Sequence, residues 1–178
     1  KEVNDTYSAL KDLGLVAGLT IIANLLASLL SADFKHVLVF FRISNVLPGH
    51  RSKALCLADP RLDDDLLAGK WPELFTNDMP PSKQNSFWYG KIYSQVKDTN
   101  EVRQAHKSFL LYRDALSGVF LLLLSVIGWH LLAPDLPISG PSSWIYAFLL
   151  VTYLLIMVTA QNAGKRMVVN SATTAINS

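Results

Sequence analysis

Cysteine is almost absent: Cys56 stands alone in 178 residues, so an intrachain disulfide framework and a C-x-x-C redox or zinc motif are both excluded. No Lys/Arg block occurs, and 16 basic against 14 acidic residues leave a net charge of only +2. That balance gives no footprint for direct nucleic-acid binding. The chain also lacks a G-x-S-x-G elbow, an H-E-x-x-H helix, a Walker-type glycine loop and a dinucleotide fingerprint, which removes the readily recognised enzyme classes and implies no cofactor. Its histidines, His36, His50, His106 and His130, have no ligand-type spacing. The acids Asp59, Asp63, Asp64 and Asp65 lack the alternation of a calcium loop, so no metal is assigned. No internal repeat is visible.

What the chain has is uncharged apolar sequence. Ala115–Ala133, ALSGVFLLLLSVIGWHLLA, holds nineteen residues without Asp, Glu, Lys or Arg. As a helix it covers about 28 Å, close to the ~30 Å hydrocarbon thickness of a bilayer. Pro134 and Pro137 stop it, and a second uncharged run, Ser143–Gln161, follows. The two read as a transmembrane hairpin. A third run, Leu13–Ser31, is uncharged over nineteen residues and exceeds a usual signal-peptide core, and the segment before it carries Glu2, Asp5 and Asp12. It reads as a first span.

Orientation follows the distribution of Lys and Arg. The loop 134–142 has none, whereas its two flanks carry Arg103, Lys107 and Arg113 on one side and Lys165 and Arg166 on the other. The loop is therefore expected outside, with the middle of the chain and the C-terminus in the cytosol. Trp129, Trp144 and Tyr146 supply an outer aromatic belt, with Tyr112 and Arg113 at the inner boundary. Phe34–Leu47 is apolar but only fourteen residues long and contains Arg42. It reads as an interfacial helix, with a re-entrant fourth span over 34–48 as the alternative.

The expected fold is an all-α integral membrane protein with three transmembrane helices, or four if 34–48 re-enters, and a small helical cytosolic domain before a C-terminal hairpin. The divisions are a tail (1–12), a span (13–31), an interfacial segment with a basic collar (32–53), the cytosolic domain (54–100), a stalk running into a span (101–133), an external loop (134–142), a span (143–161) and a tail (162–178) that looks frayed from Ser171. Inside the middle domain, Asp59-Pro60 reads as the start of a short helix ending at Gly69. Lys83–Lys97 reads as a helix with Trp88, Tyr89, Ile92, Tyr93 and Val96 on one stripe. Asp98-x-x-Glu101 resembles a capping box opening the stalk, whose Val102, Ala105, Phe109, Tyr112 and Leu116 share a face.

Three groups are candidates for function. Arg42, His50, Arg51 and Lys53, with Lys35, form a basic collar that either meets lipid headgroups or binds an anion. Gly14, Gly18, Asn24, Ala27 and Ser28 give the first span a small-residue ridge and a polar midplane, suited to an oligomer or pore interface. Trp88, Tyr89 and Tyr93 form either a domain core, a stacking platform or a dock for a soluble cytosolic partner. His106, one turn from Arg103, reads as a solvated helix face. The functional expectation is a homo-oligomeric receptor or effector of the bacterial inner membrane that binds a partner or small anionic ligand and alters permeability or assembly. A membrane-surface enzyme acting on a phosphate-containing lipid or nucleotide, and a structural anchor for a soluble complex, are the alternatives.

Overall fold

The computed structural model describes residues 27–132 and 142–178, together with Ile21 and Leu25. The tail 1–12, Gly14, Gly18, Asn24 and most of the external loop lie outside the described residues, as does all but the last turn of the first apolar run. Among the described residues every regular element is a helix. In chain order these are α1 (Ala32–Phe40), a 3-10 turn (Pro48–Arg51), α2 (Ser52–Leu57), α3 (Asp64–Lys70), α4 (Pro72–Phe75), α5 (Pro81–Phe87), a π turn (Trp88–Tyr93), α6 (Ser94–Val96), α7 (Asn100–Leu132) and α8 (Ser143–Asn177).

The two long helices set the frame. α7 has 33 residues and α8 has 35, about 50 Å each at 1.5 Å per residue. They run antiparallel. The Tyr146 hydroxyl donates to the Val126 carbonyl at 3.3 Å, and the Phe120 and Tyr153 rings lie 6.4 Å apart. Nearer the other end, a Cβ at Gly164 would sit 3.3 Å from the Phe109 ring, so glycine there permits the close approach. Val102, Phe109 and Leu116, spaced by seven, are all buried along α7.

The outer halves of these helices are apolar and uncovered. Leu124, Leu131, Phe148 and Leu155 are exposed. Each helix holds an 18-residue window of mean hydropathy 1.8 or 2.0 in which 11% is buried. The core helix of a soluble domain would be mostly buried. Both helices are long and apolar enough to cross a membrane.

The inner halves are covered by everything between α1 and α6. Here the expectation of a frayed end from Ser171 is corrected: α8 continues unbroken to Asn177. Ala160, Ala163, Met167, Val168, Ser171, Ala172 and Ala175 are buried. All of these but Met167 have short side chains, so neighbouring helices approach α8 closely. Lys70 at the end of α3 donates to the Ala175 and Ile176 carbonyls, which satisfies the last orphan acceptors of α8 with a cation.

α1 has nine residues, about 13.5 Å of helix, and cannot cross a bilayer. The helical part of the 34–48 segment is therefore shorter than a span. Ser31 caps its start by accepting from the Phe34 amide at 3.2 Å. Its end is held against α8, where Tyr153 donates to the Leu38 carbonyl at 3.1 Å and Gln161 to the Val39 carbonyl at 2.8 Å. Phe41 then turns left-handed, with φ 49°. The chain leaves the helix with Phe41, Arg42 and Ile43 all exposed.

Two start signals shift. Asp63, not Asp59, caps α3 by accepting from the Asp65 and Leu66 amides. Asp59 instead accepts from the Arg61 amide and pairs with the Arg61 guanidinium at 2.9 Å. α7 begins at Asn100, and the Thr99 hydroxyl bonds back to the Val96 carbonyl at 2.7 Å.

Candidate functional site

The site is built where α5 passes into the π turn. Pro81 occupies the first turn of α5, where its missing N–H costs nothing. Seven residues later the ladder widens to π spacing over Trp88–Tyr93, a feature often found at functional sites. The turn buries Trp88, Ile92 and Tyr93 and leaves Tyr89 exposed. The expected aromatic stripe is thus an inward wall with one member at its mouth.

Between this wall and α7 lies a cavity of about 210 Å³. α1 contributes His36, and α7 contributes His106, Phe109 and Arg113. The segment Leu47–Gly49 closes another side. A Cβ at Gly49 would approach the Trp88 ring to 2.8 Å and overlap the Asn85 side chain, so glycine lets this loop seat on α5. A second, polar hollow of about 250 Å³ lies between α7 and α8, lined by Glu101, Gln104, Ser108, Arg166 and Asn170.

Polar contacts around the first cavity are specific. The Tyr93 hydroxyl and His106 Nδ1 are 2.6 Å apart. Arg113 donates to His36 Nε2 at 3.3 Å, and the His36 ring stacks on Phe109 at 5.9 Å with planes 5° apart. Arg113 also donates to Asp114 at 3.0 Å, and Lys35, itself buried, reaches the same carboxylate at 3.1 Å. Burial lowers the pKa of His36, and the Arg113 charge lowers it further. The same two causes, in the same order, lower that of His106. Both shifts favour the neutral ring. Burial raises the Tyr93 phenol above its ordinary value. The Trp88 indole N–H is buried with no hydrogen-bond partner among the described residues.

The basic collar takes another form than a converged anion site. Arg42 is exposed, and the Arg51 guanidinium lies over the Phe40 ring at 5.6 Å. Burial, then the charge of Arg42, lowers the pKa of Arg51. His50 Nδ1 donates to the Leu47 carbonyl at 3.2 Å, and Lys53 donates to the Asn77 carbonyl at 3.0 Å. None of the four lines either cavity. Ala27 is buried, and the Ser28 hydroxyl turns back to the Leu25 carbonyl at 2.6 Å. Cys56 is buried and its thiol is pushed up to about 12, chiefly by that burial. Among the described residues no three His, Cys, Asp or Glu side chains could hold a metal together.

Sequence reasoning placed Trp88, Tyr89 and Tyr93 at a site but missed His36, His106 and Arg113. His106 is a correction, being half-buried against Tyr93 rather than solvated. One signal was available: His106, Phe109 and Arg113 fall at i, i+3 and i+7, on one helix face.

No protein-family model matches the chain, and neither a curated protein nor a solved structure is significantly similar to it.

Proposed function

We propose that the chain is a membrane-embedded receptor whose capping helices take a small ligand in the Trp88–His106 cavity and pass the event to the spans through α7. The observation that carries this reading is the position of the cavity. His106, Phe109 and Arg113 lie on the same unbroken helix whose next five turns are apolar and largely uncovered. A ligand pressing on that face bears on a rigid rod about 50 Å long.

The first apolar run supplies a third span in this reading, and the capping helices and C-terminus face the cytosol. Supporting this, α7 and α8 carry Arg103, Lys107, Arg113, Lys165 and Arg166 in their capped halves, whereas the loop 134–142 carries neither Lys nor Arg. Exposed Phe41 and Ile43 fit the headgroup layer of an inner membrane, with Arg42 between them reaching phosphates. The uncovered outer faces of α7 and α8 are available to lipid and to further copies of the chain, so the output is a change in assembly or permeability. The surface-enzyme alternative is weaker, because Arg42, His50 and Arg51 share no cavity. The anchor alternative needs a broad apolar dock, and of the three aromatic candidates only Tyr89 is exposed.

The test is membrane potential in bacteria producing the chain, read with a potential-sensitive dye. Leu110 lines the cavity from α7: wild type is expected to depolarise cells, and the cavity-filling Leu110→Trp is expected to abolish this at equal membrane abundance. Depolarisation that is identical in the two would refute the coupling of cavity to spans.

A further inference from the structure

We propose that the cavity holds a flat aromatic ring bearing oxygen acceptors, of the carbonyl or carboxylate kind, seated against Trp88 and Tyr93 with its oxygens toward the indole N–H and His36. This deepens the receptor reading above and rests on it.

Size comes first. An apolar cavity of about 150 Å³ admits benzene. The cavity here is about 210 Å³, enough for a ring with small substituents. Shape agrees: the Tyr89 and Tyr93 rings stack at 5.3 Å, and Trp88 lies 5.3 Å from Tyr93. Such walls favour a planar guest by offset and edge contacts.

Hydrogen-bond inventory then fixes the guest's polarity. The Trp88 N–H is a donor only, buried and unpartnered among the described residues. Arg113 can only donate, so His36 Nε2 accepts from it and the His36 proton is on Nδ1. The Arg113 guanidinium gives one N–H to His36 and one, from Nε, to Asp114, which leaves three of its five N–H groups. The site is thus rich in donors and needs acceptors from its guest. Its charges nearly balance, since Lys35 and Arg113 face Asp114 and Asp33. A neutral carbonyl is accommodated as readily as a carboxylate.

Two sources share this chemistry, a quinone headgroup from the bilayer and a soluble aromatic acid. The experiment uses the full chain in lipid nanodiscs with ¹⁵N-labelled tryptophan. Its four indole resonances are assigned with Trp88→Phe and titrated with 2,3-dimethoxy-5-methyl-1,4-benzoquinone, with salicylate and with toluene. A saturable downfield shift of the Trp88 N–H is expected with the quinone or salicylate, at least tenfold weaker in Leu110→Phe. Response to the quinone alone assigns a membrane source, and to salicylate alone a soluble one. Toluene binding as tightly as both would overturn the acceptor assignment while leaving a working receptor cavity. Silence toward all three, in protein whose Cys56 stays protected from maleimide, would overturn the site itself.

Discussion

Ile92 sits at the centre of the π turn, fully buried. Replacing it with alanine deletes three carbons, about 2.4 kcal/mol at ~0.8 kcal/mol per buried methylene. The space left behind adds one or two more where neighbours do not collapse into it, giving about 2–5 kcal/mol. Cys56 reports the consequence. It is the chain's one cysteine, it is fully buried, and its thiol is pushed up to about 12. Maleimide attacks only thiolate, so labelling requires the capping helices to open. With 1.4 kcal/mol for each tenfold change in the open population, the labelling rate of Ile92→Ala should rise about 50-fold or more. Leu131→Ala, on the exposed apolar half of α7, should leave the rate within a factor of two. A change below threefold in Ile92→Ala would show that the π turn is no part of the core that covers Cys56.

Three further outcomes follow from the same geometry. Tyr153→Phe leaves the buried Leu38 carbonyl without its donor, which should cost about 1–3 kcal/mol in thermal or denaturant unfolding, whereas Thr173→Val, which removes only a half-buried hydroxyl bonded back to the Val169 carbonyl within α8, should cost less. His36 and His106 have folded pKa values below their ordinary one, so the unfolded chain binds more protons as pH falls through about 6.5. Their contribution is intact above that pH and lost below it. The unfolding temperature should therefore drop from pH 8 to pH 5.5, with a smaller drop in His36→Gln/His106→Gln. Leu124→Arg places a charge in the exposed apolar half of α7, at ~2.5–3.5 kcal/mol of insertion free energy. It should reduce the membrane-inserted fraction in a carbonate-extraction assay, while Thr173→Arg leaves that fraction unchanged.

The long apolar helices were legible because a bilayer-length run without charge has few soluble explanations. α7 was readable as one piece for the same reason, since no breaker separates Glu101 from Leu132. The buried end of α8 was not. Its Ala, Ser and Val residues make no strong stripe, and only the arrival of α2 and α3 explains why short side chains suit it. The cavity was half legible. Trp88, Tyr89 and Tyr93 announce an aromatic surface, but α spacing does not reveal a π turn. His36 reaches His106 and Arg113 only through the docking of α1 on α7, a contact between residues about 70 apart in sequence. The arrangement of the basic collar was not legible, because proximity in sequence is not convergence: Arg51 packs on Phe40 while Lys53 reaches Asn77.

The central claim is that the α7–α8 hairpin crosses the membrane with the capping helices on the cytosolic side. Single cysteines in a Cys56→Ala background test it, one at the hairpin end (Ser142→Cys) and one at the capped end (Lys97→Cys). In intact cells a membrane-impermeant maleimide should label Ser142→Cys alone, with Lys97→Cys reacting only after permeabilisation. Labelling of both in intact cells, or of Lys97→Cys alone, would contradict the account.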